Sequence, residues 1–195
     1  MSEQQTAVVE RSGVQAPAPG RWELDPAHTT AAFSVRHMGI SRVHGLFKQA
    51  GGEITVAEDP ADSEVVARIA ADSIDTGEED RDAHLRSGDF LDVEQHPELV
   101  FRSTAVRPLG DGRWEVDGDL TVRDRTHPVT LEATFEGGLT DPWGSPRIVA
   151  RATTRINREV WGLTWNMALE AGGVLVGKEV DVTLEVQATL ADSAG

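Results

Sequence analysis

Apolar and polar residues alternate with a period of two through most of this chain. Ala31, Phe33, Val35 and His37 alternate with Ala32, Ser34 and Arg36, and Val65, Ala67 and Ile69 alternate with Val66 and Arg68. Trp114, Val116, Gly118, Leu120 and Val122 are interleaved with Glu115, Asp117, Asp119 and Thr121. The same rhythm runs through Val129, Leu131, Ala133 and Phe135, and again through Val180, Val182, Leu184 and Val186. Successive side chains of a strand point to opposite faces, so each segment predicts a β-strand with one dry and one mostly wet face. Turn signals punctuate them at Glu58-Asp59-Pro60, Gly110-Asp111-Gly112, Asp141-Pro142 and Gly172-Gly173. The pattern predicts an all-β antiparallel sheet of about eight strands. Closing that sheet into a barrel removes its exposed edges.

One segment breaks the period. Ser73 to Thr104 reads SIDTGEEDRDAHLRSGDFLDVEQHPELVFRST, and its part from Thr76 to Ser87 is charged and helix-like. Thr76 is placed to cap a helix, with Glu79 three residues on completing a capping box. Glu78, Glu79 and Asp80 suit the positive end of the helix dipole, Arg86 suits the negative end, and Gly88 is a natural stop. A short helical insertion near the barrel mouth is expected, followed at once by apolar Phe90 and Leu91. A second helical turn is expected over Arg158 to Trp165.

The 195 residues suit one domain. Residues 1–20 are polar and carry Pro17, Pro19 and Gly20, which predicts a disordered N-terminal tail; 21–190 form the barrel and 191–195 a short C-terminal tail. A formal net charge of −15 argues against nucleic acid, which needs clustered cations. No run approaches the ~20 apolar residues of a membrane span, so no stable membrane insertion is expected. The start lacks a basic segment followed by an apolar core, so it does not read as a secretory signal, and a cytoplasmic location is expected. Without cysteine there is neither a disulfide framework nor a thiolate nucleophile.

Several ordered blocks carry a further signal. They run from Trp22-Glu-Leu24-Asp25-Pro-Ala-His28-Thr29 through Phe33-Ser-Val35-Arg-His37-Met-Gly39 and Val43-His-Gly45-Leu-Phe47. Ser73-Ile-Asp75-Thr76-Gly77, Arg81-Asp82-Ala-His84-Leu85-Arg-Ser87, Asp89-Phe90, His96-Pro97 and Phe101-Arg-Ser103-Thr104 follow in order. Gly118-Asp119-Leu120-Thr121-Val122, Arg155-Ile-Asn-Arg158 and Val176-Gly177-Lys-Glu-Val180 complete the set. In these blocks, over about residues 21–190, the chain resembles the YceI-like family. The resemblance implies an extended antiparallel lipocalin-like β-barrel that binds a long amphipathic lipid, such as a polyisoprenoid or an isoprenoid quinone. Fatty-acid-like ligands also occur in the family, and no established catalytic set comes with it. Trp22 stands where relatives usually have Tyr, and Arg123-Asp124 replaces a more glycine-like turn.

An eight-stranded barrel holds either packed side chains or one small ligand, and the alternation alone leaves both open. Under the ligand reading, Phe33, Val35, Phe47, Ile69, Phe101, Leu120, Leu131 and Phe135 line an apolar tunnel, with Phe90 and Leu91 beside it. The small residues Ala67, Gly118, Ala133, Ala150 and Ala152 would leave room inside. Trp161 and Trp165 read equally as tunnel plugs or as core. For the head group, the candidates at the mouth are His37, Arg81, Asp82 and His84, since arginine and histidine suit a phosphate, a quinone carbonyl or a carboxylate. The competing reading pairs Arg81 with Asp82 locally and uses His84 to tie the helix to the barrel.

Other chemistry falls away on inspection. Gly172 to Lys178 matches a phosphate loop until Glu179, where serine or threonine belongs, and a strand pattern follows instead of a helix. The six histidines fit no zinc spacing, and the acids from Asp72 to Asp82 lack the alternation of a calcium loop. No GxSxG elbow is present. No metal, cofactor or catalytic residue is therefore expected. The expected ligand is an isoprenoid or fatty-acid-like lipid, held without covalent chemistry for carriage, storage or sequestration. Two alternatives stand beside it: an enzyme with His37 or His84 as acid-base group, and a solid-core β interaction module. Oligomeric state is open, a dimer included.

Overall fold

The computed structural model describes residues 6–11, 14–170 and 172–191. The chain opens with β1 (Val8–Arg11) and β2 (Val14–Pro17), which pair antiparallel with Val8 opposite Pro17. It continues through β3 (Gly20–Leu24), β4 (Thr30–His37), β5 (Ser41–Phe47), β6 (Ala50–Val56), β7 (Glu64–Ala70) and β8 (Ile74–Asp75). Helix α1 (Glu79–Arg86) follows, then β9 (Glu98–Gly110), β10 (Arg113–Val122), β11 (Arg125–Thr140), β12 (Pro146–Asn157) and β13 (Val176–Leu190).

The strands form a closed antiparallel barrel of eight: β12, β11, β10, β9, β7, β6, β3 and β13, with β13 returning to β12. Every alternating segment read from the sequence falls inside one of these strands or β4. The first three walls of the barrel are broken strands. β13 pairs with β3 near Leu190 and with β4 nearer its start, while β6 continues from β5 after Lys48 and Gln49. At the mouth end the sheet runs β13, β4, β5, β8 and then stops. There α1 and its following turn stand in for a strand: Leu91 packs with Ile74 of β8 and Val122 of β10 in one buried cluster.

Residues 1–20 depart from the expected disordered tail where they are described. Ala7, Ala16 and Ala18 are buried, and Val8 and Val9 pack on Trp22, Ile148 and Ala188, closing the far end of the barrel. The fully buried Trp22 donates its indole N–H to the carbonyl of Ala18 at 3.0 Å. The polar composition concealed this because the hairpin offers only a few small apolar side chains to one large aromatic. Residues 1–5, 12–13 and 192–195 of the expected tails lie outside the described residues.

The helix forms where expected but without its capping box. It begins after Glu78, which makes no side-chain cap bond. Thr76 is otherwise engaged: its hydroxyl donates to Asp82 Oδ1 at 2.5 Å and accepts from Arg81 Nε at 2.7 Å. The second helical turn is shorter than expected. A 3-10 turn covers Arg158–Trp161, and Gly162, in the left-handed region at φ 78°, ends it.

Candidate functional site

The helix is anchored by its charged side chains. Arg86 donates to the carbonyls of Asp72 (2.8 Å) and Ile74 (2.6 Å), and Arg81 also donates to the carbonyl of Thr76 (2.9 Å). The chain after it folds back on the last turn, with Leu91 N–H donating to Leu85 and Val93 N–H to Arg86. This return drives Phe90 and Leu91 into the barrel, each 6% exposed. Burying each such side chain contributes roughly 1.5–3 kcal/mol.

Under them lies a cavity of about 200 Å³ with an almost wholly apolar wall. Phe33, Val35, Phe47, Ile69, Phe90, Leu91, Phe101, Leu120 and Leu131, all named from the sequence, line it. β13 adds Val176, Val180, Val182 and Leu184, α1 adds Leu85, and the segment after the 3-10 turn adds Leu163. A second cavity of about 350 Å³ adjoins it at the mouth, bordered by Arg36, His37, Val43, Asp80, Arg81, His84, Trp165 and Leu175. Phe33, Val35, Leu85, Phe90 and Val176 border both. One side of the mouth, at the β4–β5 hairpin tip and the segment before β13, is apolar and exposed. Met38 donates its N–H to Leu175, Leu175 donates to Met167, and Ile40 at the same hairpin tip is 85% exposed.

Five expected site residues stand elsewhere. Asp82 is buried at 6% exposure outside the mouth cavity, where it accepts from both the N–H and the hydroxyl of Thr76. Trp161 is core: it is 3% exposed, and its indole N–H donates to the carbonyl of Leu120 at 2.9 Å. Ala67 packs in the mid-barrel core around Phe101 and Leu131. Ala133 and Phe135 line a separate cavity of about 120 Å³ near β2, which shares no wall residue with the inner one. Alternation assigned these last three to the interior but carries no information about which level of the barrel they occupy. Of the other small residues, Ala150 lines that separate cavity and Ala152 is buried in the mid-barrel core. Gly118 gives its space to a neighbouring ring rather than to a void.

The mouth residues are held in place. His84 Nε2 lies 2.8 Å from Asp89 Oδ2, and its ring meets Trp165 edge-on at 4.5 Å and Phe90 at 5.1 Å. Phe90 and Trp165 are themselves 5.4 Å apart. Such an aromatic cluster supplies a large apolar surface at small entropic cost.

The reading of the sequence missed Arg158 as a site residue. It is 4% exposed and lines the inner cavity. Its Nε donates to the carbonyl of Gly177 at 2.8 Å, one terminal nitrogen donates to Leu163, and the other to Val176 at 3.3 Å. Burial pushes its guanidinium below the ordinary arginine value. A lone arginine at a strand end carries no mark of burial, because the turn that buries it is itself set by Gly162 and β13. Among the described residues no cluster of metal-ligating side chains is present.

Comparison with known proteins follows the same lines. The sequence model of the YceI-like domain matches residues 22–188. A UPF0312 protein of Vibrio parahaemolyticus is 40% identical over 131 residues, covering 67% of this chain and 69% of the relative. Another, from Pseudomonas putida, is 39% identical over 137 residues, covering 70% and 71%. Among solved structures, Burkholderia cenocepacia BcnA superposes with a TM-score of 0.74 at 20% identity, covering 85% of this chain and 99% of that one. A polyisoprenoid binding domain from Saccharophagus degradans, implicated in plant cell wall breakdown, gives 0.66 at 14% identity, covering 87% and 98%. At these identities the structural likeness concerns the fold.

Proposed function

We propose a function that starts from kinship: the chain belongs to the YceI-like domain family. In our reading the barrel binds a long amphipathic lipid without covalent chemistry, an isoprenoid chain or a comparable acyl chain, and so carries, stores or sequesters it. The observation that carries the proposal is the apolar cavity of about 200 Å³ beneath Phe90 and Leu91. Its wall, aliphatic and aromatic but for Thr154 and Arg158, offers an aliphatic chain roughly 0.8 kcal/mol per buried CH₂. The polar groups gather one level up, at the mouth, where an amphiphile keeps its head. The polyisoprenoid binding named for the Saccharophagus degradans relative supports the same class of ligand.

The test is mass spectrometry of an organic extract from the purified full chain, paired with titration of the protein with geranylgeraniol. A retained isoprenoid or acyl lipid, or saturable uptake of geranylgeraniol, is the expected result. An extract empty in every preparation together with no uptake overturns the proposal.

A further inference from the structure

We infer that the cavity selects amphiphiles with an anionic head group, a carboxylate or a phosphate, and that Arg158 is the residue that selects them. This rests on the lipid-binding reading above and gives its ligand a charge.

Among the described residues Arg158 is a buried cation with no carboxylate in ion-pair contact, and the charge of the adjacent Glu159 only partly opposes the effect of its burial. Its three hydrogen bonds all go to neutral backbone carbonyls, of Gly177, Leu163 and Val176. A guanidinium has five N–H donors, so two remain to be satisfied. Among the described residues no carboxylate forms an ion pair with it; the adjacent Glu159 is engaged by Lys178 at 2.9 Å. Arg147, also largely covered, has Asp25 and Asp141 each at 2.8 Å. Carbonyl dipoles offset part of the cost of burying a charge, and an opposite charge brought into the same dry site offsets the rest.

Its position fits a head group. The guanidinium carbon lies 6.0 Å from the centre of the Phe90 ring. Phe90 and Val176, whose carbonyl Arg158 binds, both belong to the neck between the inner cavity and the mouth. Above the neck, the mouth cavity is bordered by Arg36 and Arg81 against a single acid, Asp80. Although the chain carries a net charge of −15, the walls of this cavity hold more cations than acids. A chain lying along Phe33, Leu120 and Leu131 would set its head between Arg158 below and Arg36 and Arg81 above. A neutral ester, alcohol or quinone there gains hydrogen bonds alone; an anion gains the charge as well.

The test is calorimetric titration of the full chain at neutral pH with two matched pairs: oleate against methyl oleate, and geranylgeranyl phosphate against geranylgeraniol. The two pairs separate carboxylate from phosphate. The acid of at least one pair is expected to bind at least about tenfold tighter than its neutral partner. In Arg158→Met that ratio is expected to shrink to within about twofold, and in Arg158→Lys, which keeps the charge, to stay above about threefold. Equal binding of acid and neutral partner by the wild-type chain overturns the inference, whether or not the variants fold. A ratio unchanged in Arg158→Met overturns the assignment to Arg158. Binding of none of the four probes overturns the lipid reading itself, whereas equal binding of all four leaves that reading standing and removes only the preference for anions.

Discussion

Phe101 lies against the bare backbone of Gly118: a Cβ at that position would sit 2.4 Å from the ring's Cζ and 2.5 Å from Cε2. Phe33 and Gly45, cross-strand partners on β4 and β5, repeat the arrangement, again at 2.4 Å. In each case a glycine lets an aromatic ring bend inward over the neighbouring strand. Gly118→Ala is expected to destabilise the protein by about 1–3 kcal/mol through overpacking, measured by urea denaturation. Phe101→Leu in the same chain should recover only part of that loss, because it removes the ring from the clash but leaves the Arg102 carbonyl oxygen 2.5 Å from the new methyl group.

Filling the two ends of the barrel should have different consequences. Val182 lines the inner cavity, and Ala133 lines only the separate one near β2. Val182→Trp is expected to reduce geranylgeraniol uptake by tenfold or more, on the order of the overpacking cost of the added ring. Ala133→Trp should leave uptake within about twofold. Calorimetric titration of both variants, with circular dichroism to verify folding, distinguishes the cavities. Equal loss in both would mean that the ligand runs through the whole barrel.

The N-terminal hairpin is a structural part of the barrel base. Removing residues 1–17 strips Ala7, Val8 and Val9 from Trp22, Ile148 and Ala188. The expected cost is on the order of 2–4 kcal/mol from the apolar surface re-exposed, read as a lower thermal midpoint. A true disordered tail could be removed without any shift, so the same melt separates the two descriptions.

Acid should loosen the same end. Asp25 lies at the corner between β3 and β4, and the Arg147 guanidinium, with His28 second, holds its carboxyl at about 2 against an ordinary 3.8. A folded value below the unfolded one stabilises the protein above the unfolded value and fades as pH falls through the folded one. Stability should therefore drop between pH 3.8 and about 2, and Asp25→Asn should flatten that slope. At neutral pH the same variant is expected to lose no more than about 1 kcal/mol, since the pair is partly screened by solvent. Arg147→Met should cost more, because Arg147 also holds the Asp141 carboxyl below its ordinary range. Urea midpoints measured across this pH range provide the check.

Trp165 closes the mouth against His84 and Phe90. Replacing it with alanine should speed release of a bound fluorescent fatty-chain probe by about fivefold, from the loss of roughly 1 kcal/mol of aromatic contact. Stopped-flow dilution measures it, and an unchanged release rate would mean that Trp165 does not gate the mouth.

Much of this was legible along the chain because its cause is local. A period of two depends only on which residues follow one another, so the strands containing Phe33, Leu120, Leu131 and Val182 could be read without knowing their neighbours. Turn chemistry is local as well: Asp59, Asp111 and Asp141 all fall at strand connections in the fold. The helix could be read from its charges, although not the use they serve. Thr76 fits a cap, yet it spends its hydroxyl on Asp82 and Arg81, because the helix must be fastened to β8 across the gap in the barrel wall.

What the sequence determined by itself was the all-β alternation, the break for one helix and the likeness to the YceI-like family. Only the tertiary structure decided the level each inward residue occupies. Period-two patterning fixes a face but not a height, so Leu131 and Ala133, two positions apart on one strand, line different cavities. It also decided which charges are dry. Arg81 and Arg158 are the same residue type, but Phe90, Leu163 and β13 fold over Arg158, while Arg81 stays exposed at the mouth. Burial is a property of what packs on top, and what packs on top comes from residues far away in the chain.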